Sequence, residues 1–470
     1  MTESWKGYEG LNLRHAFASL MGKLAAAVVR RTGRGGGTAA PGLVAERLSP
    51  AYLYDLLAEI PGGHALISGT NGKTTSAAMV GAMLEKDGRE VVRNRSGSNL
   101  TRGLLSELLG TTDWRGRLRA NAETAGVFEV DEAALVRILP RTRPRAVLLT
   151  NLFRDQLDRY GELDTITRRW QAAIGGSDGS FTLIANADDP AVVHAAGSHR
   201  GETIFFGVED ASGSEPDDWA DATMCPICGT GLSYDRANYS HLGDYRCEGC
   251  WFARPQPRIV ARKLESDGLT ATEFEVESDD ETISVRLPLP GTYNVYNAVG
   301  AMALAGVMGV GGEVMRRALE EFAPAFGRAE RVQVGERVVT MLLVKNPAGA
   351  NEVIRSLAGL EGEQDFLVLL NDRVADGEDV SWIWDVDFSR LRPGSLVVGG
   401  RRASDMALRL KYAGLEPAEG IVTETNFEKA LEGALATGEG PLYVLSTYTA
   451  LLEFRSRLVR NGAVREFWRE

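Results

Sequence analysis

The chain has 470 residues, 44% hydrophobic and 25% charged, enough for two or three domains with cores of their own. A formal net charge of −12 argues against a surface built to hold nucleic acid. No apolar run reaches the roughly 20 residues of a membrane span, so a cytoplasmic protein is expected.

Residues 1–31 are amphipathic and lack the basic start and unbroken apolar run of a secretory signal. A packed helix is expected there, with a helix lying on a membrane surface as the alternative. "GRGGGTAAPG" (33–42) reads as a linker, and a further helix is expected near 49–59. An apolar strand, His64–Ser68, then leads into "GTNGKTT" (69–75) and a helix. Gly69 and Gly72 permit a tight turn whose N–H groups face an anion. Lys73 supplies a point charge for the β/γ-phosphates, Thr74 a hydroxyl for Mg²⁺, and the helix its positive end. Gly69, Thr70, Asn71, Gly72, Lys73, Thr74 and Thr75 together form a candidate ATP-binding segment.

All four cysteines lie in one place, as CPIC, eighteen residues, then CEGC. Two CxxC hairpins at this spacing can bring Cys225, Cys228, Cys247 and Cys250 onto one Zn²⁺. Disulfides are the alternative, disfavoured in a cytoplasmic chain. Four sulfur ligands leave no open position, so the zinc is expected to be structural, and no cysteine remains to act as a nucleophile.

From about residue 330, strand-like runs ("RVVTMLLV", "DFLVLLN", "GSLVVGG", "LYVLST") alternate with helical stretches at 350–360, 403–413, 426–436 and 448–461. A small α/β domain with a mostly parallel sheet is expected. Within it, "ADGEDVSWIWD" (375–385) interleaves four carboxylates with two indoles. It reads as a hydrated loop, a metal site, or an acid held rigidly for chemistry; the absence of histidine disfavours the metal.

GTNGKTT is shorter than the usual GxxxxGK[ST] loop and resembles the ATP loop of the Mur ligase superfamily. Further resemblances follow in the family's order. "VFEVDEAAL" (127–135) puts Glu129 at its Mg²⁺-binding position. "LLTNLFRDQLDRYGELD" (148–164) is similar to its TNxxxDHLD segment, with Gln156 replacing the histidine that helps hold a second magnesium. "ANADDP" (185–190), "LPGTYNVYNAVGAMALA" (289–305), "FGRAER" (326–331) and "VKNPAGANEVI" (344–354) complete the series. The resemblance implies nucleotide contacts for Asn294 and Arg328.

Only 68 residues precede Gly69, too few for the UDP-binding domain of the precursor ligases. That shortened front, the cysteine ribbon and the ADGEDVSWIWD loop resemble the MurT family in particular. The fold implied is α/β. A Mur-ligase central ATP-binding domain (49–328) carries an inserted ribbon (221–254), behind an N-terminal helix and linker (1–48) and ahead of a Rossmann-like C-terminal domain (329–470).

The activity implied is ATP-dependent amidation of the D-isoglutamate α-carboxylate of lipid II through an acyl phosphate. Lipid II would be met at the inner face of the membrane, and a GatD-type glutaminase subunit, paired as a heterodimer, would supply ammonia. Lys73 and Glu129 would serve the phosphoryl step. Asp379, or else Asp385, would be lent to the partner's cysteine–histidine pair, with Gly377 allowing the turn and Trp382 and Trp384 packing the loop down. The competing readings are an amino-acid-adding ligase of the folylpolyglutamate type and a non-catalytic scaffold that docks a glutaminase.

Overall fold

The computed structural model describes residues 12–32, 39–94, 99–153, 163–210, 222–279, 281–323, 328–415, 417, 420–438 and 440–460. Runs of branched and aromatic residues form the strands of a nine-stranded sheet. These are β1 (His64–Ser68), β2 (Val91–Arg93), β3 (Ala125–Glu129), β4 (Ala146–Leu149), β5 (Thr182–Asn186), β6 (Thr203–Glu209), β9 (Ile259–Asp267), β10 (Ala271–Glu277) and β11 (Thr282–Leu287). The order is β11-β10-β9-β6-β5-β4-β1-β3-β2, parallel from β9 to β2, with β10 and β11 added antiparallel. β1, β3 and β4 are buried along their whole length, as expected of strands covered on both faces.

The covering helices divide into two layers. On one face lie α4 (Lys73–Lys86), α9 (Thr292–Val307) and α10 (Gly312–Glu320), packing Met79, Val80, Met83, Val299 and Leu319. On the other lie α1 (Leu13–Thr32), α2 (Ala40–Leu48), α3 (Tyr52–Ala58), α5 (Thr101–Gly110), α6 (Glu132–Ile138), α7 (Leu163–Gly175) and α8 (Pro190–Ala196). Ala18, Ala45, Tyr52, Leu56, Leu104, Leu135 and Trp170 share that core. Two strands, β7 (Leu232–Tyr239) and β8 (Leu242–Cys247), stand apart as an antiparallel hairpin between β6 and β9.

A second sheet, ordered β12-β13-β17-β14-β15-β16, contains β12 (Arg328–Val334), β13 (Arg337–Leu343), β14 (Gln364–Leu369), β15 (Pro393–Gly399), β16 (Ile421–Glu424) and β17 (Leu442–Ser446). Only β12 runs antiparallel. α11 (Pro347–Ala358) and α12 (Ala403–Tyr412) cover one face, α13 (Phe427–Ala436) and α14 (Tyr448–Arg460) the other.

Three details depart from the sequence reading. Helix α2 begins at Ala40, inside the stretch read as a linker, because Pro41 sits in its first turn, where a missing N–H costs nothing. Helices α1 and α2 put Ala18 and Ala45 into one core with Tyr52, Leu56 and Leu104 instead of forming a core of their own. Strands β12 and β16, at the two edges of the second sheet, were not among the strands expected. No helix among the described residues is long and apolar enough to cross a membrane.

Candidate functional site

The loop after β1 is held from below by the segment after β4. Thr70 N–H donates to the Asn151 carbonyl (2.8 Å) and Asn71 N–H to Asn151 Oδ1 (2.8 Å). Thr150 Oγ1 donates to the Asn71 carbonyl (2.8 Å), and Phe153 N–H donates to Thr70 Oγ1 (3.0 Å). Glycine is needed at both turn positions. Gly69 has φ +143° and a Cβ there would lie 2.1 Å from Thr150 Oγ1. Gly72, at φ +85°, caps α4, and a Cβ there would lie 1.9 Å from Asn297 Oδ1. The backbone is thus fixed in a form that suits the first turn of α4 to an anion.

Lys73 opens α4 and folds back over the loop. Its Nζ donates to the Gly69 and Thr70 carbonyls and lies 3.5 Å from Glu132 Oε2. Burial raises the Glu132 carboxyl, a cost that Lys73 and Lys345 partly offset. Glu132 was not among the expected site residues; its place one turn beyond Glu129 in "FEVDE" was the available signal. Glu129 ends β3, its backbone gripped by the Asn94 amide (2.9 Å in both directions). Its Oε2 is buried and lacks a hydrogen-bond partner, as does Thr75 Oγ1. A buried carboxylate oxygen left unpaired is costly in a folded protein unless a cation completes it. Glu129, with Thr74 half-buried on the first turn of α4, therefore suits a Mg²⁺ that neutralises nucleotide phosphates.

The C-terminal domain reaches this same loop. Asn346 caps α11 by accepting from Gly349 N–H (2.9 Å) and donates through Nδ2 to Asn71 Oδ1 (3.0 Å). Tyr448, which opens α14, has its hydroxyl pKa raised by burial and then by the charges of Glu129 and Asp376. Both domains thus meet around the β1–α4 loop. From α9, Asn297 lies against Gly72, whereas Asn294 donates to the Pro290 carbonyl (2.7 Å) and accepts from Asn297 (3.3 Å). Asn294 thus lies behind Asn297, which the sequence reading missed. Arg328 opens β12; its side chain, Gln156 and the DQLD stretch lie outside the described residues.

In "ADGEDVSWIWD" the acids separate by role. Asp376 is buried and ties the loop to α14: Oδ1 accepts from Thr449 N–H (2.7 Å), and Oδ2 accepts from the Thr449 hydroxyl and from Arg373 N–H (3.2 Å). Gly377 turns at φ +87°. Asp379 is exposed, and its Oδ1 accepts from Ser381 N–H (2.8 Å), which with the Ser381 hydroxyl holds its carboxyl pKa below the ordinary value. Asp385 is half-buried in a short 3₁₀ turn, Ser381–Asp385, and its carbonyl accepts from Asn351 (3.1 Å). Trp382 packs against the domain core. Trp384 does not: it is 46% exposed, edge-on to Tyr412, with the Arg409 guanidinium 5.5 Å from its ring.

The four cysteine sulfurs lie within 4.8 Å of one another, and all four are free thiols. Cys225–Cys250 and Cys228–Cys247 are 3.6 and 3.4 Å apart. A disulfide would require about 2.05 Å, whereas sulfurs 2.3 Å from a tetrahedral zinc stand about 3.8 Å apart. The Ile227 and Gly249 N–H groups point at Cys225 and Cys247 sulfur (3.4 and 3.3 Å), charge-stabilising donors for thiolates. Hydrogen bonds with Thr230, side chain and backbone, draw the Cys228 thiol down to about 6. The described protein core around them is small, chiefly Tyr245 and Phe252, so a bound metal would supply much of the ribbon's stability. At the opposite end of the hairpin, His241 is buried against Phe153, 3.6 Å from Asp189 Oδ2.

Comparison with known proteins places these features in one family. Residues 67–224 match the Mur ligase middle domain, and residues 343–451 match the MurT ligase C-terminal domain. The lipid II isoglutaminyl synthase (glutamine-hydrolyzing) subunit MurT of Streptococcus pneumoniae (strain ATCC BAA-255 / R6) is 32% identical over 459 residues, covering 97% of this chain and 99% of that protein. The subunit of the same name from Staphylococcus aureus (strain COL) is 30% identical, covering 96% and 99%. Among solved structures, a pseudomurein peptide ligase type C from Methanothermus fervidus has the same fold at 21% identity, with a TM-score of 0.65 over 85% of this chain and 78% of that one. MurF from Acinetobacter baumannii follows at 18% and 0.64, covering 90% and 80%. With both domains and nearly the full length matched, the chain belongs to the MurT family of Mur ligases.

Proposed function

We propose that the chain is the synthetase subunit of a lipid II isoglutaminyl synthase, amidating the D-isoglutamate α-carboxylate of lipid II with ammonia from a GatD-type glutaminase subunit. The observation that carries the reading is the end-to-end similarity to subunits bearing that name, together with the MurT-type C-terminal domain. An amino-acid-adding ligase would share the phosphate loop but gives no reason for an exposed acid loop beside it.

A carboxylate resists ammonia because its charge repels nucleophiles and its oxygen leaves poorly. Transfer of the ATP γ-phosphoryl group to one carboxylate oxygen gives an acyl phosphate. Ammonia then adds to the carbonyl carbon, phosphate leaves, and a proton is lost to give the amide. The protein's task is mainly positioning and charge stabilisation. The α4 N-terminus and Lys73 would bind the phosphates; Glu129 and Thr74 would hold Mg²⁺, which neutralises phosphate charge when bound. Glu132 would keep the Lys73 ammonium near the loop. Asn346 and Tyr448, arriving from the C-terminal domain, would help exclude water from the acyl phosphate. Asp379 would orient the partner's catalytic imidazole, with Asp385 as the second choice. The ribbon thiolates would hold a structural zinc.

The test is reconstitution with ATP, lipid II and either glutamine plus the glutaminase subunit or ammonium alone. Amide formation from both nitrogen sources, with one ADP per amide, is the expected result. Incorporation of an amino acid but not ammonia would replace the reading with the adding-ligase one.

A further inference from the structure

Helix α1 has two unlike faces. Ala18 and Ser19 are buried against the central domain, and a Cβ at Gly22 would meet Leu109 at 2.6 Å and the Pro41 carbonyl at 3.1 Å. Leu13, Phe17, Leu20 and Leu24, spaced by four, three and four residues, fall along the opposite side and are between 50% and 72% exposed. Isolated exposed leucines need no explanation, but a four-residue stripe on one helix does. The twenty residues of α1 contain Arg14, Lys23, Arg30 and Arg31 and no acid, in a chain whose net charge is −12.

A second element flanks the stripe. Lys23 Nζ donates to the carbonyls of Thr112 and Asp113 (2.7 and 3.2 Å), and Ser19 bonds the Thr112 hydroxyl, so loop 111–119 runs along one side of α1. That loop exposes Trp114 (72%) with the Arg115 guanidinium 4.6 Å from its ring. Arg117 and Arg119 are exposed beside it. Its one acid, Asp113, is occupied by the backbone N–H groups of Arg115 and Arg117.

We propose that α1 and loop 111–119 form a docking surface for an anionic lipid membrane. An apolar helix face, flanking cations and an exposed indole are the combination that lies in a lipid interface, with the rings at headgroup depth and the arginines on phosphates. A second copy of the chain fits poorly, because a two-fold contact would lay this basic patch on itself. The glutaminase reading draws on the C-terminal domain, whereas this surface belongs to the central one. The inference rests on surface chemistry and does not require lipid II to be the acceptor.

The experiment is co-sedimentation of the full chain with vesicles of phosphatidylglycerol and phosphatidylcholine, compared with phosphatidylcholine alone, in the absence of lipid II. Binding to the anionic vesicles is expected, with a blue shift in tryptophan emission that Trp114→Phe removes. Each cation near such a surface is worth about fivefold in affinity, so Arg115→Glu/Arg117→Glu should weaken binding by tenfold or more. Leu20→Glu/Leu24→Glu should abolish it, while both variants keep the parent melting temperature because the altered side chains face solvent. The proposal is overturned if the parent chain ignores anionic vesicles or if the leucine variant binds them equally well. It is equally overturned if the leucine substitutions instead break up a dimer or the complex with the glutaminase subunit.

Discussion

The phosphate loop and the acid loop contain polar groups held in opposite ways. The loop at 69–75 is pinned on several sides: by Thr150, Asn151 and Phe153 below, Asn297 beside Gly72, and Asn346 from the other domain. The carboxylate proposed to hold Mg²⁺ there, Glu129, is buried with one oxygen unpaired. The loop at 375–385 hangs chiefly from one buried carboxylate, Asp376, and leaves Asp379 exposed in a fixed, low-pKa geometry. A site that must exclude water from its own intermediate is built inward. The acid proposed to serve another protein stays outside and borrows its rigidity from a neighbour.

The hardest break is on the buried side. Lys73→Ala should lower amidation by about 10²–10³-fold, the 3–4 kcal/mol typical of a lost electrostatic stabiliser, equally with glutamine and with ammonium. Steady-state ADP release with each nitrogen source checks this, and a normal rate with ammonium would remove Lys73 from the phosphoryl step.

On the exposed side, Asp379→Asn should cut glutamine-dependent amidation at least about tenfold, leaving the ammonium-dependent rate and subunit association unchanged. Equal loss of both activities would give the aspartate to this subunit's own chemistry. If neither activity fell, the role would pass to Asp385.

The same contrast explains what could be read from the sequence. The phosphate loop was legible because its strand, two glycines, lysine and helix are contiguous, and the chemistry dictates their spacing. The cysteine ribbon was legible for the same reason. Glu132 and Asn297 were not, because what gives them meaning, the folded-back Lys73 and the missing Cβ of Gly72, is tertiary. Edge strands escaped as well: "RAERVQV" has charges at 328, 330 and 331, the last two adjacent, which breaks the period-two pattern, and "IVTE" is too short for a pattern. In the acid loop, composition marked the stretch but could not tell the staple, Asp376, from the exposed acid, Asp379, since only burial and tertiary hydrogen bonds separate them.

Asp376 offers a way to sharpen that distinction. Asp376→Ala strands the Thr449 N–H and hydroxyl and the Arg373 N–H, at a cost of about 1–3 kcal/mol to the C-terminal domain. Because α14 also carries Tyr448 toward Glu129, both nitrogen sources should suffer, unlike in Asp379→Asn. Hydrogen exchange should show loosening at 373–381 and at the start of α14. An exchange pattern like that of the parent chain would mean that the staple is redundant.

The smallest effect expected belongs to the buried end of β1, far from either loop's chemistry. His64 is 3% exposed, its Nε2 lacks a hydrogen-bond partner, and burial lowers its pKa from 6.5 to about 4. The folded state thus refuses a proton that the unfolded chain accepts between those two values. Its share of stability is complete above the unfolded pKa of about 6.5 and drains away as the pH falls toward 4. At pH 6 the loss is about 0.8 kcal/mol relative to pH 8, from a 2.5-unit difference. His64→Gln cannot titrate, so urea unfolding of the variant should lack that increment between pH 8 and pH 6. The comparison reads a slope, so any change in packing common to both pH values cancels. A variant whose slope matched the parent's would place a proton on the folded-state imidazole near neutrality and require a partner for Nε2.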